Sequence, residues 1–480
     1  MFDEYIENKK DEIINTICEL IKYKSISLED SIIPDAPFGI ECKKALDYTL
    51  ELGKKLGFKT KNIDGYCGYI EFGSGEEIVG IIGHLDVVPA LENDGWTTPP
   101  FEASVRDNKI FGRGSIDDKG PVIASLYAMK AVMDLSPNIN KRIRLILGLN
   151  EEKSWKCINR YKQTEEYPSV GFSPDANFPA IYAEKGILSI SLTNPFKIKD
   201  IDILEIDCGS NALNVVPKYC SITLKFKNLN MKESLKNICD PLLDSNISIE
   251  NIDSSTVKII SLGKASHAAH PENGNNAIKN LVKFLIDNFE IPEEPEYNYL
   301  EKLYHLGVFD IESPEFLSRN DILYATEFEE NSIIQDESGI LTSNVAVLEY
   351  ENNKITIKIN LRVPVNTSLD TVTLKYRQLI NMYENIEVSV LSSQDPLYVK
   401  KDSYLVKTLV DIFNKKSNKS EEPIAIGGGT YARAFDNMIS YGVTMPGEKD
   451  MCHQVDEFID IDDLILSSKI YAEAIYELAK

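Results

Sequence analysis

Histidine is scarce in this 480-residue chain, five in all, so the place of each one carries information. Cysteine occurs eight times but never as a CxxC pair: Cys18, Cys42, Cys67, Cys157, Cys208, Cys220, Cys239 and Cys452 are scattered. That scatter argues against a structural zinc knuckle and a dense disulfide framework, and suits reduced thiols in a cytoplasm. No apolar run approaches the length of a membrane span, which needs about 20 residues. The opening MFDEYIENKKDEII carries early acids and no apolar signal segment, so export is not expected. Positive charge is also in deficit: 51 basic residues face 75 acidic ones, for a net charge of -24. Such a surface repels phosphate backbones and anionic headgroups, which removes nucleic acid and membrane surfaces as expected partners.

What is present is an ordinary globular composition, 43% apolar and 26% charged, long enough for two to four domains. DEIINTICELIKY spaces Ile13, Ile14, Ile17, Leu20 and Ile21 as one face of an opening helix. GYIEFGSG reads as a strand, EEIVGIIGH and RIRLILGLN as buried strands, and GPVIASLYAMKAVMDL as a helix with proline in its first turn. This alternation predicts an α/β domain with a mostly parallel sheet flanked by helices. From about residue 187 the texture becomes antiparallel, with ILSISLTNPF, YCSITLKFKN, VKIISLG and KITIKINLRV beside the helical NNAIKNLVKFLIDNF. The expected organisation is therefore a catalytic domain over 1–187, an inserted α+β domain over 188–393, and a return to the first domain over 394–480. Residues 296–339 read as loop-rich.

Chemistry gathers where strands end. His84 closes IVGIIGH, and His84-Leu85-Asp86 puts an imidazole and a carboxylate on one side of an extended segment. Asp117-Asp118 follow a Gly-Arg-Gly turn, Glu151-Glu152 follow a strand, and Asp175 lies in FSPDANFP. Each acid alone has a plain reading as a turn, a helix start or a cap. Together His, Asp, Glu and Asp at the ends of successive α/β units form a ligand series for a divalent metal. A phosphate-cradling role for FGRGSIDDKG is disfavoured, because no lysine-serine or lysine-threonine pair follows and two acids would repel phosphate.

Eight motifs in order, GHLDVVPA, GWTTPPFEASV, GRGSIDDKGP, NEEKSW, GFSPDANFP, SHAAHPENGNNA, IGGGTYAR and CHQVDEFI, cover nearly the whole chain. Through them the sequence resembles the co-catalytic zinc peptidases that include aminoacylases, carboxypeptidase G and succinyl-diaminopimelate desuccinylase, and within them PepV-type bacterial dipeptidases. The resemblance implies two divalent ions, zinc first with manganese or cobalt as alternatives. It places one ion on His84 and Asp175 and the other on Glu152 and His453, with Asp117 bridging. Asp86 would orient the His84 ring, and Glu151 would be general base and acid for a metal-bound hydroxide attacking the peptide bond. A cis peptide between Asp117 and Asp118 is implied as well. Four of the five ligands fall between residues 84 and 175 and the fifth stands at 453, so a large insertion must separate parts of one site.

In the family that insertion is a lid. Here it would supply Asn214, His267 as oxyanion stabiliser, and Arg362 to grip a substrate carboxylate. Gly428, Gly429 and Thr430 of the glycine-rich turn that begins at Gly427 would also bind substrate. Each has a competitor: His270 beside His267, a solvated face shared by Arg362 with Lys358, and a flexible connection at the glycines. His305 reads as an ordinary helix residue, and Cys452 as a neighbour of His453 only. The expected activity is a cytoplasmic dipeptidase acting on dipeptides with a free carboxylate, as a monomer with a dimer left open. An N-acyl amino acid deacylase or desuccinylase, and an inactive binding relative, are the alternatives; no ligand or base is missing from the motifs.

Overall fold

The computed structural model describes residues 2–29, 31–136, 139–227, 246–292, 297, 299–311, 334–381 and 387–480. The chain divides into two compact units, one of residues 1–183, 397–424 and 430–480, the other of 184–396 and 425–429. The sequence boundaries at 187/188 and 393/394 differ from these by a few residues. Residues 425–429 cluster with the inserted unit, although the sequence reading puts all of 394–480 in the first.

In the first unit a short helix, Phe2–Asn8, precedes helix α1 (Lys10–Ile21), whose Ile13, Ile17, Leu20 and Ile21 are buried. Strands β1 (Lys59–Ile63), β2 (Cys67–Gly73) and β3 (Ile78–His84) follow, then the short β4 (Lys109–Phe111) and helix α2 (Lys119–Leu135). Strands β5 (Arg142–Gly148) and β6 (Val170–Ser173) come next, before the insertion. After it come β7 (Met438–Ser440), β8 (Phe458–Asp460) and helix α3 (Ile461–Ala479). In the main sheet the strands run β1-β2-β5-β3-β6-β7, continued by Ile181–Glu184 and Leu397–Tyr398. The central run is parallel, β5 to β3, β3 to β6 and β6 to β7, while β1, β2 and β5 pair antiparallel. The sheet is thus mixed, parallel at its centre.

Why these segments form the centre follows from burial. All seven residues of β3 are buried, and six of the seven in β5. Such buried, largely apolar runs belong to strands covered on both faces; the buried charge in β5, Arg144, is paired with Glu71 Oε2 at 2.6 Å. One cover is α2, which is buried on nearly every side because it packs on β3 and β5 and against α1 and α3. A helix apolar all round belongs in such an interior position.

The second unit holds two four-stranded antiparallel sheets. One orders Thr342–Glu351, Lys354–Val363, Gly186–Pro195 and Glu387–Gln394; the other orders Ile201–Asp207, Tyr219–Phe226, Thr256–Leu262 and Ile247–Asn251. The helix Ala277–Asn288 starts at Asn276, whose side-chain oxygen accepts from the amides of Ile278 (2.9 Å) and Lys279 (3.1 Å). Strands 201–207, 247–251 and 387–394 are not among the strands read from the sequence; they are largely exposed. Of the loop-rich expectation, residues 312–333 lie outside the described residues; the described flanks hold a helix, Tyr299–His305, and the two-stranded ladder of Gln335–Asp336 with Gly339–Ile340. His305 is exposed on that helix, 3.9 Å from Glu301. The seven described cysteines are free, and Cys239 lies outside the described residues.

Candidate metal centre

Three neighbouring parallel strands, β5, β3 and β6, end on the same side of the first unit's sheet. His84 is the last residue of β3, Asp175 lies two residues past β6, and Glu151-Glu152 lie just past β5. Functional groups of open α/β sheets collect at this carboxyl edge. Asp117 comes from the turn between β4 and α2, and His453 precedes β8, which pairs antiparallel with β4 through Phe458 with Phe111 and Ile459 with Ile110.

The five side chains fall into two halves about Asp117. Its Oδ1 lies 3.0 Å from His84 Nε2, which is itself 3.5 Å from Asp175 Oδ2. Its Oδ2 lies 3.0 Å from His453 Nε2, which is 3.1 Å from Glu152 Oε1. Ligand atoms of His84, Asp117 and Glu152 all lie within 4.8 Å of one another. His84 Nε2 is buried and, despite these neighbours, makes no hydrogen bond. A buried imidazole nitrogen aimed at carboxylate oxygens without a hydrogen bond fits a shared cation.

The backbone prepares this geometry. His84 Nδ1 faces the Asp86 carbonyl oxygen at 2.9 Å and the Asp86 carboxylate at 3.5 Å. That carboxylate accepts from the amides of Glu151 (3.1 Å) and Glu152 (3.2 Å), so one acid sets both the ring and the glutamate turn. Asn150 ties the same turn, its side chain accepting from Ser154 Oγ (2.7 Å) and Lys156 N (3.1 Å) while donating to Ser27 Oγ (2.8 Å). The Asp117-Asp118 peptide is cis. Asp118 Oδ2 accepts from the His84 amide at 3.1 Å, and a Cβ at Gly83 would meet that oxygen at 2.4 Å, so the approach requires glycine. His453 adopts a positive φ of 64°.

Electrostatics give the second sign of a cation site. Burial pushes the carboxyls of Glu151, Glu152, Asp175 and Asp118 upward, and neighbouring carboxylates add to it, Glu152 reaching about 7. Burial also opposes ionisation of Asp117, yet the flanking His453 and His84 hold it well below the usual range. Burial disfavours the protonated imidazoles, but the surrounding carboxylates outweigh it and raise both, His453 to about 11. The protein's own charges leave this pocket with excess acid, which a divalent ion neutralises. The residues present therefore fit a divalent metal.

The second unit brings its own candidates together. Val215 and His267 form a β-bridge, and the Ala268 amide donates to the Asn214 carbonyl at 2.8 Å. Both Asn214 and His267 are exposed, and His267 Nδ1 accepts from the Ala269 amide at 3.2 Å. Arg362 is only 3% exposed; its Nε donates to Asn360 Oδ1 (2.9 Å) and its Nη1 to the Gly427 carbonyl (3.0 Å). Lys358 is less buried and pairs with Glu349, so the solvated face suggested for both fits Lys358 alone. A Cβ at Gly427 would lie 3.0 Å from that of Ala269, which joins the glycine turn to the His267 segment. Asn344, unread in the sequence, donates to the Val215 carbonyl at 3.0 Å and sits opposite Asn360, linking the Asn214 loop to Arg362. Gly428 and Gly429 belong to this unit and Thr430 to the first, where its hydroxyl accepts from Ala432 N (3.1 Å) and lies 2.5 Å from Ser440 Oγ. His270 is exposed beside Glu272. Among the described residues no helix is long and apolar enough to cross a membrane.

Comparison with known proteins agrees with this metal-ready geometry. Residues 80–477 match the model of peptidase family M20/M25/M40. YtjP of Bacillus subtilis (strain 168), named as a candidate dipeptidase, is 37% identical and covers 98% of each chain. A Staphylococcus epidermidis protein of the same designation is 36% identical over 100% of this chain and 99% of its own. Human carnosine dipeptidase 1 has a similar fold, with a TM-score of 0.59 at 15% identity over 100% of this chain and 98% of its own. The yeast di-peptidase Dug1p (Saccharomyces cerevisiae) does too, with a TM-score of 0.58 at 13% identity over 99% and 98%. A match over most of the chain, to both the family model and full-length relatives, makes this protein a member of the metal-dependent peptidase family M20/M25/M40 and hence a hydrolase.

Proposed function

We propose that the chain is a PepV-like, two-metal dipeptidase that cleaves dipeptides with a free carboxylate in the cytoplasm. The observation that carries the reading is the division of the five ligands about Asp117, each of its oxygens facing one histidine at 3.0 Å. His84 and Asp175 would hold one ion and Glu152 and His453 the other, with zinc as the first choice and manganese or cobalt as alternatives. Bound there, such ions lower the pKa of a water from about 15.7 toward about 7 and polarise the scissile carbonyl.

The chain's residues do the rest. Glu151, half-buried with a raised carboxyl, takes a proton from the attacking water and returns it to the leaving amine. Its neighbour Glu152 is a ligand, so one turn fixes both roles, and Asp86 aims that turn through the two glutamate amides. From the second unit, His267 is assigned to the developing oxyanion, and Asn214, Arg362, Gly428 and Gly429 to substrate, together with Thr430. These roles rest on the motif resemblance, supported by the backbone pairing of the Asn214-Val215 segment with His267-Ala268 and by the Arg362 bond to Gly427. The large insertion favours a monomer.

Hydrolysis of a dipeptide panel, set beside acetylated and succinylated amino acids, tests the substrate class. Turnover of dipeptides is expected; turnover confined to the acylated compounds would transfer the assignment to a deacylase. Elemental analysis of protein kept from chelators should find about two divalent ions per chain, and a reproducible absence would overturn the two-metal reading.

A further inference from the structure

Glu457 is wholly buried and lies four residues beyond His453 in the segment that leads into β8. A buried carboxylate needs charged or hydrogen-bonding partners, and all of those found for it come from one turn more than 300 residues earlier. Oε2 accepts from Arg113 Nη1 (2.6 Å) and the Gly114 amide (3.1 Å), while Oε1 accepts from the amides of Ile116 (3.0 Å) and Asp117 (3.3 Å). The Glu457 carbonyl also accepts from Gly112 N at 3.0 Å. The turn 112–117 is thus wrapped around one carboxylate, with Gly114 at a φ of 87° that favours glycine. Arg113, itself 4% exposed, lies over the Trp96 ring at 5.2 Å.

The amide of Asp117 is held by Glu457 on one side while its carboxylate faces His84 and His453 on the other. Glu457 shares its own segment with His453. One side chain therefore joins the two stretches of chain that bring the shared carboxylate and the last histidine together. We propose that Glu457 is a positioning residue for metal binding, fixing Asp117 relative to His453. The proposal rests on the two-metal reading above.

Glu457→Gln tests it, because glutamine keeps the shape but must turn an NH2 group toward donors at one of its two ends. Zinc is titrated into chelator-treated protein well below the melting temperature. A 10- to 100-fold weakening of zinc affinity is expected, with kcat lost at limiting zinc, restored at saturating zinc, and KM for the dipeptide unchanged. Arg113→Met, which leaves the three turn amides on Glu457, should weaken zinc less, and serves if Glu457→Gln does not fold. Wild-type zinc affinity in Glu457→Gln, with only a lowered melting temperature, would make Glu457 a structural staple and end the proposal. Equal zinc affinity in wild type and Arg113→Met would do the same if Arg113→Met is the only variant to fold. Absence of zinc binding by the wild-type protein would instead sink the metal reading, and this role with it.

Discussion

In the first unit Asp117 is 7% exposed and Asp118 and Glu457 0%, with Glu151, Glu152 and Asp175 half-buried, whereas in the second unit Asn214 and His267 are exposed. The two regions solve different problems. Gathering carboxylates in a buried pocket is unfavourable unless cations and backbone amides offset their repulsion, so the first unit commits Asp86, Asp118 and Glu457 to amide groups, while Asp117 and Glu152 face the two histidines. The second unit gathers neutral or singly charged groups, and backbone pairing contributes to setting them: the Asn214-Val215 segment pairs with His267-Ala268, and buried Arg362 reaches the Gly427 carbonyl as well as Asn360 Oδ1.

The largest expected effect lies in the first unit. Glu151→Ala should lower kcat by about 10²- to 10⁴-fold while retaining bound metal; a variant with normal turnover would take Glu151 out of the mechanism. Metal removal comes next and tests the comparison directly. Saturation at about 100 times the dissociation constant adds about 2.7 kcal/mol to the folded state. Chelation should therefore speed hydrogen exchange at the amides of 84–86, 117 and 151–152 and leave the strand Lys354–Val363 unaffected; an equal response in both units would break the contrast.

Arg362→Ala should destabilise the chain by about 1–3 kcal/mol, read as a lower urea midpoint, because Asn360 Oδ1 and the Gly427 carbonyl lose their charged donor. A midpoint unchanged from wild type would mean that solvent replaces that donor. Asn214→Ala is the mildest: stability should stay within about 0.5 kcal/mol, since the loop is held by its backbone, while KM rises. An unchanged KM with altered stability would reverse the two roles.

How much of this could be read beforehand differs by region. The centre of the first sheet was plain, because β3 and β5 are covered on both faces and so are dominated by apolar residues, IVGII in β3 and LIL in β5. Strands 201–207 and 387–394 were silent, because an exposed strand has little reason to alternate strictly. Of the site, His84, Asp117, Glu151, Glu152, Asp175 and His453 stood out as chemically distinctive residues within motifs. Asn344 and Glu457 did not, although Glu457 lies inside CHQVDEFI, because a carboxylate in a motif does not announce which donors it will meet.

The sequence by itself determined the family and the candidate residues: His, Asp, Glu and Asp at strand ends, a large insertion before His453, and an adjacent glutamate pair. Only the tertiary structure decided the partnerships, that Asp117 turns one oxygen to each histidine and that Glu457 closes on a turn 340 residues before it. The physical reason is range. Residue type and short spacing set what a group can do, whereas the buried hydrogen bonds that aim it are made between segments brought together by sheet pairing.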